Sequence, residues 1–142
     1  MLNKINETYE CVADMAALEA LRKSEELLRA VFNASPELTC VSTIFGEFVE
    51  ANDAFCAACG LSRDEIIGRP GSAITLWVDL ERRHEFLELL GRDGFVRGFE
   101  ADMRHATGEV RRCLLSAHVI KASGAALVVT TGQDLSGAGQ GV

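Results

Sequence analysis

Two of the five cysteines, Cys56 and Cys59, have the C-x-x-C spacing of redox-active dithiols and of half a zinc site. Zinc would need two further ligands, and the sequence contains neither a second C-x-x-C nor a close pair of histidines. Both cysteines also lie inside a short predicted helix, away from the first turn, where a helix dipole would stabilise a thiolate. We therefore predict two structural thiols and keep a redox-responsive pair as the alternative.

The sequence lacks the motifs that indicate an enzyme. It contains no glycine-rich phosphate loop, no nucleophile elbow, no paired catalytic carboxylates and no histidine-centred metal motif. The net charge is −7, with 14 basic against 21 acidic residues, which disfavours nucleic-acid binding. We predict a binding or signalling protein that is not an enzyme.

Length and composition are typical of one ordered domain. The 142 residues are 48% hydrophobic and 25% charged, which suits a globular chain with its own core. No apolar run approaches the roughly 20 residues of a membrane span, and the first ten residues lack the pattern of a signal peptide. An odd number of cysteines, mostly within predicted helices and strands, indicates reduced thiols. We expect a cytoplasmic protein without a membrane span.

Three runs with strand character end the chain, at 95–106, 109–122 and 125–136. Short glycine-containing turns separate them and predict an antiparallel meander. Alternation predicts which side chains face the core. The inward residues are Phe95, Phe99, Ala101 and Met103 in the first strand and Cys113, Leu115, Ala117 and Val119 in the second. Leu114 and Ile120 point the other way, so the outer face of the sheet also needs a cover.

The cover that we predict is an N-terminal helix from about Ala13 to Asn33, a stretch without proline or glycine. Its apolar residues follow a 3-4 spacing, and they are Leu18, Leu21, Leu28 and Phe32. One interpretation is a single helix that covers its own domain, and the other is a helix that also pairs with a second protomer. We favour the second: a dimerisation helix at 1–33, a domain at 34–136 and a flexible tail at 137–142.

The middle of the chain predicts two short strands and several short helices. Asn52 or Asp53 is expected to cap the first helix, which stops at Gly60, and Ser62 begins a capping box with Glu65. A longer helix starts at Asp79, carries an apolar stripe of Leu80, Phe86, Leu87 and Leu90, and is closed by Gly91 and Gly94. The expected fold is α+β, with five antiparallel strands in one sheet, the short helices on one face and the N-terminal helix on the other. A small molecule would fit between the sheet and the short helices.

Five segments between Ser24 and Ser136 occur in a specific order and spacing. They are SEELLRAVFNASPE, VEANDAFCAACGLSRDEIIGRP, LWVDLERRHEFLELL, FEADMRHATGEVRRCLLSAHVI and the terminal GQDLS. Together they resemble the PAS sensor-domain family, whose terminal Asp-Ile-Thr signature is similar to GQDLS with Leu and Ser substituted. The resemblance implies a sheet in the order 2-1-5-4-3, a cavity for a ligand or cofactor, and signalling through the flanking helices. It does not identify the ligand, because proteins with this fold bind many different ligands.

The same resemblance bears on two cofactors. Light-oxygen-voltage domains use a cysteine in a segment where this chain has GRPGSAITLW, so a covalent flavin is not expected. Haem-binding PAS domains hold iron through a histidine on the long helix, where this chain has His84. Because His84 falls at the flank of the apolar stripe within the charged run ERRHE, we expect a rim histidine and keep a haem-based gas sensor as a third hypothesis. His105 and His118 are no better placed.

Ten residues are candidates for the wall of the enclosed space. They are Cys40, Phe55, Trp77, Phe86, Leu90, Arg97, Phe99, Met103, Cys113 and Leu115. Most are apolar, so the predicted ligand is a small apolar or aromatic molecule, and a filled core is the alternative. Arg97 shares its strand face with Phe99 and is the charged candidate for binding an anion, unless it extends to the rim.

Asp134 ends the last strand, and the resemblance implies that it anchors the junction between the sheet and an output helix. An aspartate at a strand end also accepts backbone N–H bonds without any signalling role. The function that we predict is a sensory module, homodimeric, acting with an effector such as a histidine kinase or a cyclic-dinucleotide enzyme. The alternative is a ligand-free dimerisation module.

Overall fold

The computed structural model of the protein describes residues 2–69 and 75–135. The chain forms two units, Met1–Ala34 and Ser35–Val142. The predicted tail at 137–142 and most of the loop GRPGSAIT lie outside the described residues.

The first unit is one helix, α1, which spans Leu2–Ala34. It begins earlier than predicted because the residues before Ala13 also lack proline and glycine. The leucines of the predicted stripe are exposed, with 65% for Leu18, 55% for Leu21 and 67% for Leu28. In the described residues no helix is long and apolar enough to cross a membrane. That α1 dimerises and covers the outer face of the sheet stays a prediction.

The second unit is built on one five-stranded antiparallel sheet. Its strands are β1 (Leu38–Thr43), β2 (Phe48–Ala51), β3 (Phe95–Arg104), β4 (Val110–Ala122) and β5 (Ala125–Asp134). The spatial order is β2-β1-β5-β4-β3, which confirms the predicted topology. The last strand of the chain therefore lies in the centre, between β1 and β4.

In the described part of the connection from β2 to β3 lie α2 (Asp53–Cys59), α3 (Arg63–Ile66) and α4 (Leu80–Asp93). Asn52 caps α2, and Ser62 with Glu65 forms the predicted capping box of α3. The carboxylate of Glu65 accepts a hydrogen bond from the N–H of Ser62, which lowers the pKa of that carboxyl. Helix α4 continues through Gly91 and ends at Gly94, whose φ of 78° lies in the left-handed region.

The inner face of the sheet forms the core with these helices. Cys113, Leu115 and Ala117 are buried as predicted, but Val119 is 38% exposed. The N–H of Val119 donates to the carbonyl of Gly94, the C-cap of α4, so Val119 lies level with the end of that helix. The predicted inward face of β4 therefore holds only over the length that α4 covers.

A bulge in β3 reverses part of the predicted alternation. Val96 pairs with Ala117 and Phe99 with Leu115, so two residues of β3 stand opposite one residue of β4. Because of the extra residue, Val96 is buried and Phe95 is 42% exposed. The prediction that Phe95 shares the inner face with Phe99 is wrong.

Candidate ligand-binding site

Two adjoining cavities lie between the inner face of the sheet and the helices. The aromatic cavity has a volume of about 90 Å³ and is lined by Cys40, Ser42, Phe48, Phe55, Leu76, Trp77, Phe86, Met103, Leu115, Val128 and Thr130. The rim cavity has a volume of about 40 Å³ and shares five of these lining residues. Its other lining residues are Leu38, Ala58, Cys59, Arg104, His105, Arg111, Cys113, Thr131, Gly132 and Asp134. The shared residues, which separate the two cavities, are Phe55, Leu76, Met103, Leu115 and Thr130.

Seven of the ten candidates from the sequence line these cavities, and they are Cys40, Phe55, Trp77, Phe86, Met103, Cys113 and Leu115. Leu90 and Phe99 are buried in the same hydrophobic cluster as Phe86 but line neither cavity. The remaining candidate is Arg97, which is exposed.

The structure corrects the expectation that Arg97 reaches the interior. The bulge in β3 turns Arg97 outward, and its guanidinium lies 4.9 Å from the centre of the Phe95 ring. This is the geometry of a surface cation–π contact. Arg97 therefore does not supply a charge to the cavity wall.

The aromatic side of the site is a cluster of three rings. The centre of the Phe86 ring lies 5.4 Å from that of Trp77 and 5.3 Å from that of Phe99, in tilted and edge-on arrangements that such pairs prefer. The segment that carries Trp77 bridges to Met103, and the next residue, Val78, donates its N–H to the carbonyl of Asp102. This segment thus closes the site along the edge strand β3.

Sequence reasoning missed several wall residues on the central strand. Val128, Thr130 and Gly132 alternate with outward residues of β5 and lie on the same face as Asp134. These residues alternate along the strand, as inward-facing residues should. Because β5 is apolar on both faces, however, the sequence does not show which alternate residues face the core.

Three thiols surround the site and are held in their protonated form. Burial raises the pKa of Cys40 to about 12, that of Cys59 to about 12 and that of Cys113 to about 11. Burial also raises the pKa of Cys56. At neutral pH these groups are weak nucleophiles, which favours structural thiols over a redox pair of Cys56 and Cys59.

Within 2–69 and 75–135, no group of three or more His, Cys, Asp or Glu residues is placed to hold a metal ion. The zinc interpretation of the C-x-x-C spacing therefore gains no support from the described part of the chain.

We expect thiol reagents at pH 8 to modify the exposed Cys11 quickly and the three buried thiols only after unfolding. A thiol with a pKa of about 12 is roughly one part in ten thousand thiolate at pH 8. Counting modified thiols with and without denaturant measures this, and Cys11→Ser should remove the fast phase. Rapid modification of Cys59 in the folded protein would contradict it.

The same raised pKa values set a pH dependence of stability. The stabilisation from keeping these thiols protonated is fully present below the unfolded-state pKa of about 8.5. It falls as the pH rises from there towards 12, because only the unfolded chain ionises freely. Denaturant titrations at pH 7.5 and pH 10 are expected to show a lower free energy of unfolding at pH 10. Replacing Cys40 with serine should reduce that difference.

The histidines do not support a haem site. His84 is 74% exposed, its Nε2 lies 2.9 Å from the Oε1 of Glu88, and it lines neither cavity. His105 does reach the rim cavity, but its ring packs against the bare backbone of Gly60, where an added Cβ would lie 2.2 Å from its Cε1. Both cavities are also far smaller than the roughly 300–1,000 Å³ of common cofactor sites.

Asp134 closes the rim cavity together with an arginine that the sequence did not single out. Its Oδ2 lies 3.0 Å from the Nη1 of Arg111, whose Nη2 is 3.3 Å from the Oε2 of Glu109. The carboxylate of Asp134 is mostly buried, which strengthens a charge-assisted hydrogen bond. The end of β5 is therefore tied to β4 at the cavity wall.

Comparison with known proteins agrees with this geometry. The PAS domain family model matches residues 36–137, and no curated protein sequence matches the chain. A PAS domain from a two-component sensor histidine kinase is 15% identical with a TM-score of 0.71, over 80% of this chain and 97% of that one. The PAS domain of an HTR-like protein from Haloarcula marismortui is 22% identical with a TM-score of 0.68, over 85% and 99%.

A third solved structure is the PAS domain of a LuxR-family transcriptional regulator from Burkholderia thailandensis, in complex with ethanol. It is 24% identical with a TM-score of 0.61, over 75% of this chain and 96% of that one. At these identities the solved structures establish a shared fold. The family model covers more than half of the sequence, and the topology is the one that the resemblance implied. The chain belongs to the PAS domain family.

Proposed function

We propose that this PAS domain is a sensor that binds a small molecule in the aromatic and rim cavities and signals to an effector. The observation that carries the proposal is the position of Asp134, which lines the rim cavity and also ends the central strand. A ligand that fills the cavity therefore meets the residue where the sheet ends. The proposal assigns no catalytic step to the protein.

Signalling would occur as a shift between two populations of the domain. A ligand that contacts the cavity wall differently in the two states changes their relative populations. The Arg111–Asp134 ion pair and the end of β5 would change with them. A histidine kinase is the effector class that we favour, because one structurally similar PAS domain comes from such a kinase. Five free cysteines fit a reducing compartment, so the cytoplasm is the proposed location.

The test of ligand binding begins with the protein as purified. A Soret band would indicate haem and overturn the proposal in its present form. Mass spectrometry of a denatured extract is expected to release a small molecule in stoichiometric amount, or the purified protein is expected to bind one saturably. A protein that releases nothing and binds nothing in a ligand screen would favour the interaction module instead.

We expect Asp134→Asn to loosen the end of β5, because an amide cannot replace the charged partner of Arg111. Amide hydrogen exchange near Gly132 should become faster, and ligand addition should no longer change it. Glu109→Gln is the matched control, since Glu109 also contacts Arg111 but does not line either cavity. Equal effects of the two variants would remove Asp134 from the signalling role.

A second candidate function, dimerisation through α1, rests on the exposed leucines of that helix. We expect Leu21→Glu combined with Leu28→Glu to give a monomer by light scattering, because charges replace the apolar stripe. Lys23→Glu changes the net charge by the same amount on the opposite side of the helix and should leave the dimer intact. A dimer that survives the double substitution would exclude pairing through this stripe.

A further inference from the structure

Uncharged side chains line the aromatic cavity. Among the described residues, its wall contains aromatic, aliphatic, hydroxyl and sulfur groups but no Asp, Glu, Lys, Arg or His. Burial keeps even the thiol of Cys40 protonated, with a pKa of about 12. An ionised ligand would lose its hydration here without gaining an opposite charge. The wall therefore favours an uncharged molecule.

Two hydroxyl groups give the same wall a limited polar character. Ser42 on β1 and Thr130 on β5 both line the aromatic cavity. Thr130 is the cross-strand neighbour of Cys40 and lies beside its thiol. A hydroxyl can donate one hydrogen bond and accept up to two, so Ser42 can pair with a single oxygen of a ligand, whether that oxygen donates or accepts.

The volume of the cavity sets an upper limit on the ligand. About 90 Å³ is well below the roughly 300 Å³ at which pockets begin to hold drug-sized molecules. Met103, which lies in the wall shared by both cavities, separates this space from the rim cavity. Methionine is unbranched and flexible, so its side chain defines how far the space extends.

A glycine on β5 that lines the rim cavity sets the position of a second residue shared by both cavities. A Cβ added at Gly132 would lie 2.9 Å from the Cδ2 of Leu115, whose side chain packs on the bare backbone there. Leu115 lines both cavities. A larger residue at position 132 would push Leu115 into the open space.

We propose that the aromatic cavity binds a small uncharged molecule of about four or five non-hydrogen atoms that carries one hydrogen-bonding oxygen, such as a short alcohol. Met103 and the contact of Leu115 with Gly132 are the residues that limit its size. This inference rests on the proposed sensory function and specifies the ligand class of the aromatic cavity. Asp134 lines only the rim cavity, so such a ligand would act on it through Met103 and Leu115, which line both cavities. The oxygen is placed at Ser42 and the carbon chain against Trp77 and Phe86.

The first experiment tests charge and polarity with the full chain. Trp77 is the one tryptophan of the sequence and lines the cavity, so its fluorescence reports occupancy. We expect 1-butanol to bind saturably and butyrate and butylammonium to bind at least about tenfold more weakly. Ser42→Ala should weaken the binding of 1-butanol by about fivefold. Ser24→Ala, on α1, should leave the affinity for 1-butanol unchanged. Equal or tighter binding of either ion would overturn the inference.

The second experiment tests the size limit in both directions. Met103→Ala is expected to admit 1-octanol, which the original chain should exclude, while Met103→Leu should keep the original selectivity. Gly132→Ala is expected to weaken the binding of 1-butanol several-fold, with correct folding checked by circular dichroism. Binding of 1-octanol to the original chain as tightly as 1-butanol would refute the role of Met103.

Failure of this inference and failure of the sensory function have different outcomes. A large or charged molecule in the denatured extract would support the sensory function but refute the proposal that the ligand is small and uncharged. Saturable 1-butanol binding that leaves exchange at the end of β5 unchanged would support the ligand class and count against signalling through Asp134.

Discussion

Replacement of Asn52 by alanine is expected to lower the free energy of unfolding by about 3–5 kcal/mol. Asn52 is completely buried, and its Oδ1 accepts hydrogen bonds from the N–H of Thr39 at 3.0 Å and of Phe55 at 2.9 Å. Its Nδ2 donates to the carbonyl of Glu37 at 2.9 Å. The substitution leaves three backbone groups in part-buried hydrogen bonds without this partner, at roughly 1–3 kcal/mol each before any relaxation. This one side chain joins the start of β1 to the start of α2.

Denaturant unfolding followed by circular dichroism measures the loss. Ser62→Ala is the matched control, because Ser62 caps α3 at the surface and its removal should cost only about 1 kcal/mol. Asn52→Asp keeps both hydrogen bonds that the Oδ1 accepts but loses the Nδ2 donor. Its free energy of unfolding at neutral pH should therefore lie between those of Asn52→Ala and Ser62→Ala. An Asn52→Ala variant as stable as Ser62→Ala would show that the hydrogen bonds are replaced by water.

Replacement of Phe86 by alanine is expected to cost about 3–5 kcal/mol and to enlarge the aromatic cavity. Phe86 is buried, and its ring touches those of Trp77 and Phe99. Removing the ring loses both aromatic contacts and leaves a void against the wall of the site. The fluorescence of Trp77 should shift to longer wavelength as water gains access.

Leu87→Ala is the control for this change, since Leu87 is the next residue of α4 and is partly exposed. It should cost about 1 kcal/mol or less. Benzene is expected to raise the melting temperature of the Phe86→Ala variant by filling the void and to leave the Leu87→Ala variant unaffected. No benzene effect on the Phe86→Ala variant would mean that the wall collapses into the space.

Local signals in the sequence determined most of the elements. Asn52, Ser62 and Gly60 mark helix ends by their own side-chain or backbone chemistry, and the structure confirms all three positions. The alternation of Cys113, Leu115 and Ala117 likewise predicted the buried face of β4. These features depend on neighbours a few residues away, which is why a single sequence contains them.

The pairing of strands distant in sequence determined the features that local patterns predicted wrongly or did not predict. Gly98, with a φ of 65°, is an isolated glycine of the kind that bulges use, but only the pairing of β3 with β4 shows that two residues stand opposite one. That bulge turns Arg97 to the surface and buries Val96. The ion pair of Arg111 with Asp134 joins positions 23 residues apart in sequence and exists only because β4 and β5 are neighbours.

The sequence by itself therefore determined the strands, the helix ends and, by resemblance, the order of the sheet. Only the tertiary structure decided the size and polarity of the site, because a cavity is the space that side chains from distant segments leave unfilled. The contact of Leu115 with Gly132 and the wall formed by Met103 are of this kind. Neither depends on a repeat or a spacing that the sequence displays.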